Sequence, residues 1–162
     1  FIIPEIIIAV AFIVIWTSMG LKLGLIPITI SHVLYCTPFC LLILISRMEG
    51  FDKSLEEASM DLGENAFGTF WRITLPLLLP GIVASLLLSF VISFDEFILA
   101  FFLSSSDQTL PIYMWSQLRF PKKLPHVLAL GAIIIVATSF IVMLSYWFRN
   151  IGQSKNNKGI HI

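Results

Sequence analysis

Two adjacent carboxylates, Asp95 and Glu96, stand inside an apolar stretch of the chain. A carboxylate within a membrane span costs at least ~2.5 kcal/mol on insertion scales, so it normally faces a bundle interior or a water-filled path. Neighbouring residues of a helix point about 100° apart, so at most one of the two can face such a path squarely. The pair predicts a cation-attracting site on a path, or else the interfacial end of a helix or a contact with a partner subunit.

The other reactive residue types do not form a catalytic pattern. Cys36 and Cys40 are i, i+4 neighbours in an apolar stretch, so we expect small packing residues. His32 and His126 have no carboxylate or cysteine at ligand spacing, and we expect interfacial positions and no metal site. The sequence shows no phosphate-binding glycine loop and no paired nucleophile and base. These features predict a protein that is not an enzyme and holds no cofactor, so any ATP would be hydrolysed on another chain.

The composition is that of an integral membrane protein. The 162 residues are 57% apolar and 12% charged, whereas soluble domains are ~45–50% apolar and ~25% charged. A helix needs roughly 20 mostly apolar residues to cross a ~30 Å hydrocarbon core. Segments that meet this requirement are residues 3–19, 25–46, 77–103 and 127–148. We predict an all-α polytopic bundle with four transmembrane helices, and the net charge of zero gives no basis for binding nucleic acid.

Basic residues beside these segments predict the orientation. On one side of the membrane the flanking basic residues are Arg47, Lys53, Arg72, Arg149, Lys155 and Lys158. On the other side they are Lys22, Arg119, Lys122 and Lys123. Because cytoplasmic flanks carry the excess of Lys and Arg, we expect residues 49–72 and the C-terminus on the cytoplasmic side of the plasma (inner) membrane. The loop 104–123 then faces outward, where its aromatic residues would form an interfacial belt or belong to an outer helix.

The polar stretch 49–72 is amphipathic. Leu55, Leu62 and Ala66 recur at helical spacing, which predicts a short helix whose apolar face rests on the chain's own helix ends. Gly63 then supplies a turn that few other residues tolerate. A second short helix leads to Pro76. The predicted arrangement is a helical hairpin before the third span.

Seven residues of this stretch form a spaced motif. Glu57, Ala58, Ser59 and Gly63 are followed at a fixed distance by Ile73, Leu75 and Pro76. The motif resembles the "EAA" coupling loop of permeases of ATP-binding cassette (ABC) importers. Further stretches, namely Pro4-Glu5, Gly24-Leu25, Asp95-Glu96 and Thr109-Leu110-Pro111, look like the spermidine/putrescine branch of that family, in particular its second permease subunit. The chain departs from the family at Ser59, often alanine, and at Glu96, commonly aspartate.

The resemblance implies a function and a set of partners. The seven motif residues would contact an ABC ATPase dimer, and Asp95 and Glu96 would line the path of a polyamine. A second permease subunit, a periplasmic or extracellular solute-binding protein and membrane lipid are the other implied partners. The alternatives are a permease for another small solute (amino-acid-like, iron or another organic cation) or a secondary transporter.

The resemblance also implies a domain organisation. We expect a transmembrane domain over residues 1–150, a cytoplasmic coupling segment over residues 49–76 within it, and a cytoplasmic tail over residues 151–162. Family members usually have six spans, and the chain begins at Phe1 within an apolar run and without signal-peptide features. We therefore expect it to be truncated at its N-terminus, with two spans preceding Phe1.

Overall fold

A computed structural model describes residues 4–151, with side chains up to residue 149, and these residues form helices without any strand. The helices are α1 (Glu5–Ser18), α2 (Leu25–Glu49), α3 (Ser54–Asp61), α4 (Ala66–Thr69), α5 (Leu75–Asp95), α6 (Ile98–Leu103), α7 (Leu110–Gln117) and α8 (Leu124–Ile151). The predicted all-α class is confirmed. The predicted tail, apart from Ile151 at the end of α8, lies outside the described residues.

Three helical stretches among residues 4–151 are long and apolar enough to cross a membrane: Leu25–Glu49, Ala66–Asp95 and Pro121–Arg149. They correspond to the second, third and fourth predicted spans. The helix in the first predicted span, α1, has 14 residues, which cover about 21 Å at 1.5 Å per residue. That is short of a ~30 Å hydrocarbon core, so three of the four predicted spans are matched by length.

The third span has different bounds from those predicted. It begins at Ala66, because α4 and α5 are joined by a π-helical turn, Phe70–Thr74, into one helical stretch. Within this turn the Leu75 N–H bonds to the Phe70 carbonyl, five residues back. Pro76 has no N–H to donate to the preceding turn, which accounts for the locally widened helix. The stretch ends at Asp95 and not at Leu103, since the helix breaks at residues 96–97.

The described residues group into two compact units. In the first, residues up to 37 and residues 90–138, the short helix α6 forms the core. Leu99, Ala100 and Leu103 of α6 are fully buried, and α1 packs along this helix. The Gly24 N–H donates to the Leu103 carbonyl at 2.9 Å, which ties the start of α2 to the end of α6.

The second unit comprises residues 38–89 and the chain from residue 139 onward. Here Ser145 of α8 donates its hydroxyl hydrogen to the Ala84 carbonyl of α5 at 2.8 Å. The aliphatic stem of Arg47 lies against Gly81, where a Cβ would come within 3.2 Å of it. The missing side chain at residue 81 therefore allows α2 and α5 to approach closely.

Candidate functional site

The first candidate site is the motif segment, residues 54–76, and it begins at a capped helix end. Asp52 accepts a hydrogen bond from the Ser54 N–H at 3.0 Å. Hydrogen bonds from the Ser54 hydroxyl and N–H lower the pKa of the exposed Asp52 carboxyl from its ordinary value of 3.8. Glu56 and Glu57 occupy the first turn of α3, where the helix dipole favours negative charge.

Gly63 ends this helix in the way the sequence predicted. Its φ is +90°, a conformation that residues with a Cβ rarely adopt. No atom lies within 4 Å of the position that a Cβ would occupy, so glycine is required by the backbone and not by lack of space. The Gly63 N–H bonds to the Met60 carbonyl, and the Glu64 N–H bonds to the Ser59 carbonyl.

Two side-chain hydrogen bonds fasten α3 to the start of the third span. The hydroxyls of Ser59 and Thr69 lie 3.0 Å apart, and Thr74 donates its hydroxyl hydrogen to Glu56 at 2.5 Å. Both threonines are buried, with 3% and 8% of their surface exposed. Because buried polar groups need partners, these contacts specify how α3 lies on α4 and the π turn.

A third contact organises α4 itself. The Asn65 side chain accepts from the Gly68 N–H at 2.8 Å and so caps the helix. Glu64 forms a 2.6 Å ion pair with Arg72, and its carboxylate passes over Gly68, where a Cβ would overlap it. Gly68 is therefore needed for the Glu64–Arg72 pair.

The outward face of the motif segment is apolar and aromatic. The exposed large side chains are Leu55, Met60, Leu62, Phe67, Phe70 and Trp71, of which Leu62 is 90% exposed and Phe67 74%. The prediction that Leu55, Leu62 and Ala66 rest on the chain's own helix ends is therefore wrong. The packed face is the one with Glu56 and Ser59, because the Thr69 and Thr74 hydroxyls satisfy its polar groups.

The seven motif residues divide between the exposed surface of the motif segment and its partly buried, packed face. Glu57, Ala58, Gly63 and Pro76 are exposed, whereas Ser59, Ile73 and Leu75 are half-buried. Ser59 holds α3 in place through its contact with Thr69. Gly63 turns the chain at the end of α3, and Pro76 lies two residues after the π turn. The motif thus combines residues that shape the segment with residues on its surface.

The second candidate site contains Asp95 and Glu96, which the structure separates. Glu96 is 6% exposed, and its carboxylate accepts from the N–H groups of Ile98, Leu99 and Ala100 at 3.0, 2.9 and 3.3 Å. It therefore caps the first turn of α6. Asp95 is exposed, so the two neighbouring carboxylates have different surroundings.

Asp95 lines a groove of about 630 Å³ within the first unit. The groove runs between α7 and α8, and its other lining residues are apolar or aromatic, among them Pro111, Met114, Trp115, Val127 and Leu128. Its lining contains a single charged residue. The groove can therefore offer one carboxylate to a cation and an apolar wall to a hydrocarbon segment of the same molecule.

A polar cluster in the first unit was missed by the sequence analysis. His32 Nδ1 lies 2.9 Å from the Ser93 hydroxyl, and its Nε2 lies 3.7 Å from a Glu96 oxygen. Tyr35 donates to the Glu5 carboxylate at 2.5 Å. His32 is not an isolated interfacial residue as predicted, and Tyr35 and Ser93 carried no sequence signal because their partners are distant along the chain.

Apolar helices of spanning length, with a polar segment packed on the end of one of them, define a polytopic membrane protein. Residues 1–155 match the protein family described as "Binding-protein-dependent transport system inner membrane component". The chain belongs to this family of membrane transport proteins. The predicted family is thereby confirmed.

Similar proteins belong to polyamine transport systems. The spermidine/putrescine transport system permease protein PotC of Escherichia coli (strain K12) is 32% identical over 157 residues, 96% of this chain and 59% of the relative. PotC of Haemophilus influenzae is 36% identical over 88% of this chain and 55% of the relative. The putrescine transport system permease protein PotI of Escherichia coli (strain K12) is 34% identical over 76% and 44%. The chain thus spans less than two thirds of the length of these relatives.

Proposed function

We propose that this chain is part of a membrane permease subunit of an ATP-driven importer of polyamines, spermidine or putrescine. The family to which it belongs and its similarity to the permease proteins PotC and PotI support the polyamine assignment. The observation that carries the mechanism is the motif segment, a short helix fastened by Ser59–Thr69 and Glu56–Thr74 to the end of a spanning helix. A second permease subunit, an ABC ATPase dimer and a solute-binding protein complete the proposed transporter.

The motif segment is the proposed contact with the ATPase. Its exposed apolar side chains form a surface of the kind that marks protein–protein contacts. Glu57 is exposed in the first turn of α3 and is available to a basic residue of the ATPase. Because α3 is hydrogen-bonded to the same helical stretch that enters the membrane, a displacement of α3 would be passed to that stretch.

The proposed membrane arrangement has four spans, with α1 as the first. The basic flanks favour a cytoplasmic motif segment and a cytoplasmic C-terminus, as argued from Arg47, Arg72 and Arg149. We further propose a transmembrane domain over residues 1–150 and a cytoplasmic tail over residues 151–162. The exposed apolar side chains along α8, such as Ile133, Val136 and Phe140, suit contact with lipid or a neighbouring permease.

Of the two carboxylates, Asp95 is the better candidate for the solute path. Glu96 is engaged by three backbone N–H groups and is buried, which suits a structural role. Asp95 is exposed in a groove that is otherwise apolar. A polyamine alternates ammonium groups with methylene chains, and such a groove offers a partner to each.

The test is uptake of labelled putrescine and spermidine by transport-deficient cells that carry the full-length protein with its partner permease, ATPase and binding protein. A Gly63→Leu variant runs in parallel, because Leu cannot easily adopt φ near +90°. We expect uptake in the wild type and its loss in the variant, with the complex still assembled. Absence of polyamine uptake with the ATPase bound would overturn the substrate, and failure of the wild type to bind the ATPase would overturn the coupling role.

A further inference from the structure

A pocket of about 310 Å³ lies between α7 and the start of α8, beside the groove of Asp95, with which it shares Val127. It is lined by Tyr113, Gln117, Lys123, His126, Val127 and Leu130. The polar groups at one end are a phenol, an amide, an ammonium and an imidazole, and no carboxylate is among the lining residues. The volume lies at the lower end of the range for small-ligand sites, about 300–1,000 Å³.

The charge of the surrounding chain favours an anion. Lys123 donates to the Gln117 side-chain oxygen at 2.7 Å, which holds the ammonium group beside the pocket. Arg119 lies over the Trp115 ring at 5.0 Å, and Lys122 is exposed. The sequence has no Asp or Glu from residue 108 to residue 162, so no nearby acid on the same stretch neutralises these cations.

The position of the pocket favours a lipid. The helical stretch Pro121–Arg149 is one of the candidate membrane spans, so Lys123 and His126 stand at its beginning, at the level of lipid headgroups. Val127 and Leu130 continue the pocket wall along α8 towards the apolar part of the span. A row of lysines and aromatic residues at a membrane surface is common by itself, but here polar and apolar side chains line the same concavity.

We propose that this pocket binds an anionic phospholipid, with the phosphate at Lys123 and His126 and an acyl chain along Val127 and Leu130. Basic pockets between membrane helices on the cytoplasmic side accept anionic headgroups, and we extend the same charge pairing to this pocket, which the proposed orientation puts on the outer side. The inference rests on the membrane location of α8 and is independent of the transported solute and of the orientation of the chain.

The experiment measures lipid retention by native mass spectrometry on the full-length protein in its assembled complex, purified in detergent. The probes are dioleoyl phosphatidylglycerol, dioleoyl phosphatidylcholine and water-soluble glycerol 3-phosphate. The variants are the double substitution Lys123→Gln with His126→Gln, the charge-keeping Lys123→Arg, and Lys22→Gln as a matched loss of an exposed lysine at another helix end.

We expect preferential retention of phosphatidylglycerol, reduced roughly tenfold in the double variant and preserved in Lys123→Arg and Lys22→Gln. Equal retention of both lipids by the wild type would overturn the proposal, as would an equal loss in Lys22→Gln. Competition by glycerol 3-phosphate at the concentration of the lipid would show a simple anion site and overturn the lipid assignment. If the double variant does not assemble, the single variant Lys123→Gln should still show a several-fold loss of phosphatidylglycerol, and unchanged retention in that variant would overturn the proposal.

Discussion

Thr74 and Glu56 are 18 residues apart in the sequence, and the hydroxyl of the first donates to the carboxylate of the second at 2.5 Å. The carboxylate belongs to the short helix α3 and the hydroxyl to the π turn within the helical stretch Ala66–Asp95. Together with Ser59–Thr69, this bond determines the angle at which α3 lies on the longer helix. The angle is thus maintained by polar contacts, which leaves the apolar side chains of α3 on the outside.

Removing the Thr74 hydroxyl should loosen α3. Thr74→Val keeps the volume but leaves the half-buried Glu56 carboxylate without this donor, a loss of about 1–3 kcal/mol. Hydrogen exchange of the α3 amides in the purified protein should become correspondingly faster. Thr37→Val is the matched control, since the exposed Thr37 hydroxyl bonds only to the Val33 carbonyl of its own helix. Equal exchange in wild type and Thr74→Val would show that the bond does not hold α3.

Gly68 and Glu64 should behave as a coupled pair. Gly68→Ala places a Cβ against the Glu64 carboxylate, which as the end of a flexible side chain should turn away from Arg72, so the variant should lose the ion pair and lower the free energy of unfolding by less than about 1 kcal/mol. Glu64→Ala alone should cost little, since the Arg72 side chain of the ion pair is largely exposed to solvent.

The double variant Glu64→Ala with Gly68→Ala separates the overlap of the two side chains from the effect of alanine on helix propensity. Because the Glu64–Arg72 pair can be lost only once, adding Gly68→Ala to Glu64→Ala should be neutral or stabilising, so the two effects should not add. Gly50→Ala, where a Cβ meets only a backbone oxygen at 3.9 Å, serves as the control. Additive effects of the two substitutions would contradict the overlap.

Gly63 should tolerate substitutions according to backbone preference and not according to size. Gly63→Ala should cost about 1–2 kcal/mol of stability, because left-handed backbone is unfavourable for residues with a Cβ. Gly63→Asn should cost less, since Asn adopts this region more often. Thermal unfolding of the purified variants provides the comparison, and a more stable Ala than Asn variant would refute the explanation.

Neutralising Asp95 should change polyamine uptake, whereas neutralising Glu96 should change the stability of the protein. Asp95→Asn should reduce polyamine uptake while stability stays within about 0.5 kcal/mol, as for most surface substitutions. Glu96→Gln weakens the cap of α6 and should lower stability by roughly 1–2 kcal/mol. Uptake kinetics and thermal unfolding of the same two variants separate the roles. Unchanged uptake in Asp95→Asn would remove Asp95 from the proposed path.

The exposed surface of the motif segment should matter for ATPase binding and not for folding. Leu62→Ala removes a side chain that is 90% exposed, so stability of the isolated protein should not change measurably. The binding free energy for the ATPase should weaken by about 1–2 kcal/mol, and an unchanged affinity would remove Leu62 from the proposed contact. Leu42→Ala, a similarly exposed leucine of α2, should leave that affinity unchanged in a pull-down titration.

The sequence predicted local features well and distant contacts poorly. Gly63 and the periodicity of α3 are local signals, and both predicted the helix and its end correctly. The break after Asp95 was missed because residues 97–103 are as apolar as the preceding span, and hydropathy does not detect a cap such as Glu96. The π turn had a signal in Pro76, whose missing N–H disturbs the preceding turn.

Long-range pairs had no such signal. His32 and Ser93 are 61 residues apart, and periodicity does not indicate which helices are neighbours. The packed face of α3 was assigned incorrectly for the same reason, because the buried hydroxyls of Thr69 and Thr74 lie in another element. Apolar periodicity identified a face of α3 but could not tell whether this chain or another protein covers it.

The uninterrupted helical path from Ala66 to Asp95 also bears on how this protein can change length during evolution. Inserting one residue between Ala66 and Thr74 would rotate everything before it by about 100° relative to the rest of the helix. That rotation would swing Thr74 away from Glu56 and turn α3 to a different side of the longer helix. Insertions at residues 62–65, outside any helix, carry no such rotation. Among homologues, length variation should therefore accumulate around Gly63 and be rare between Ala66 and Pro76.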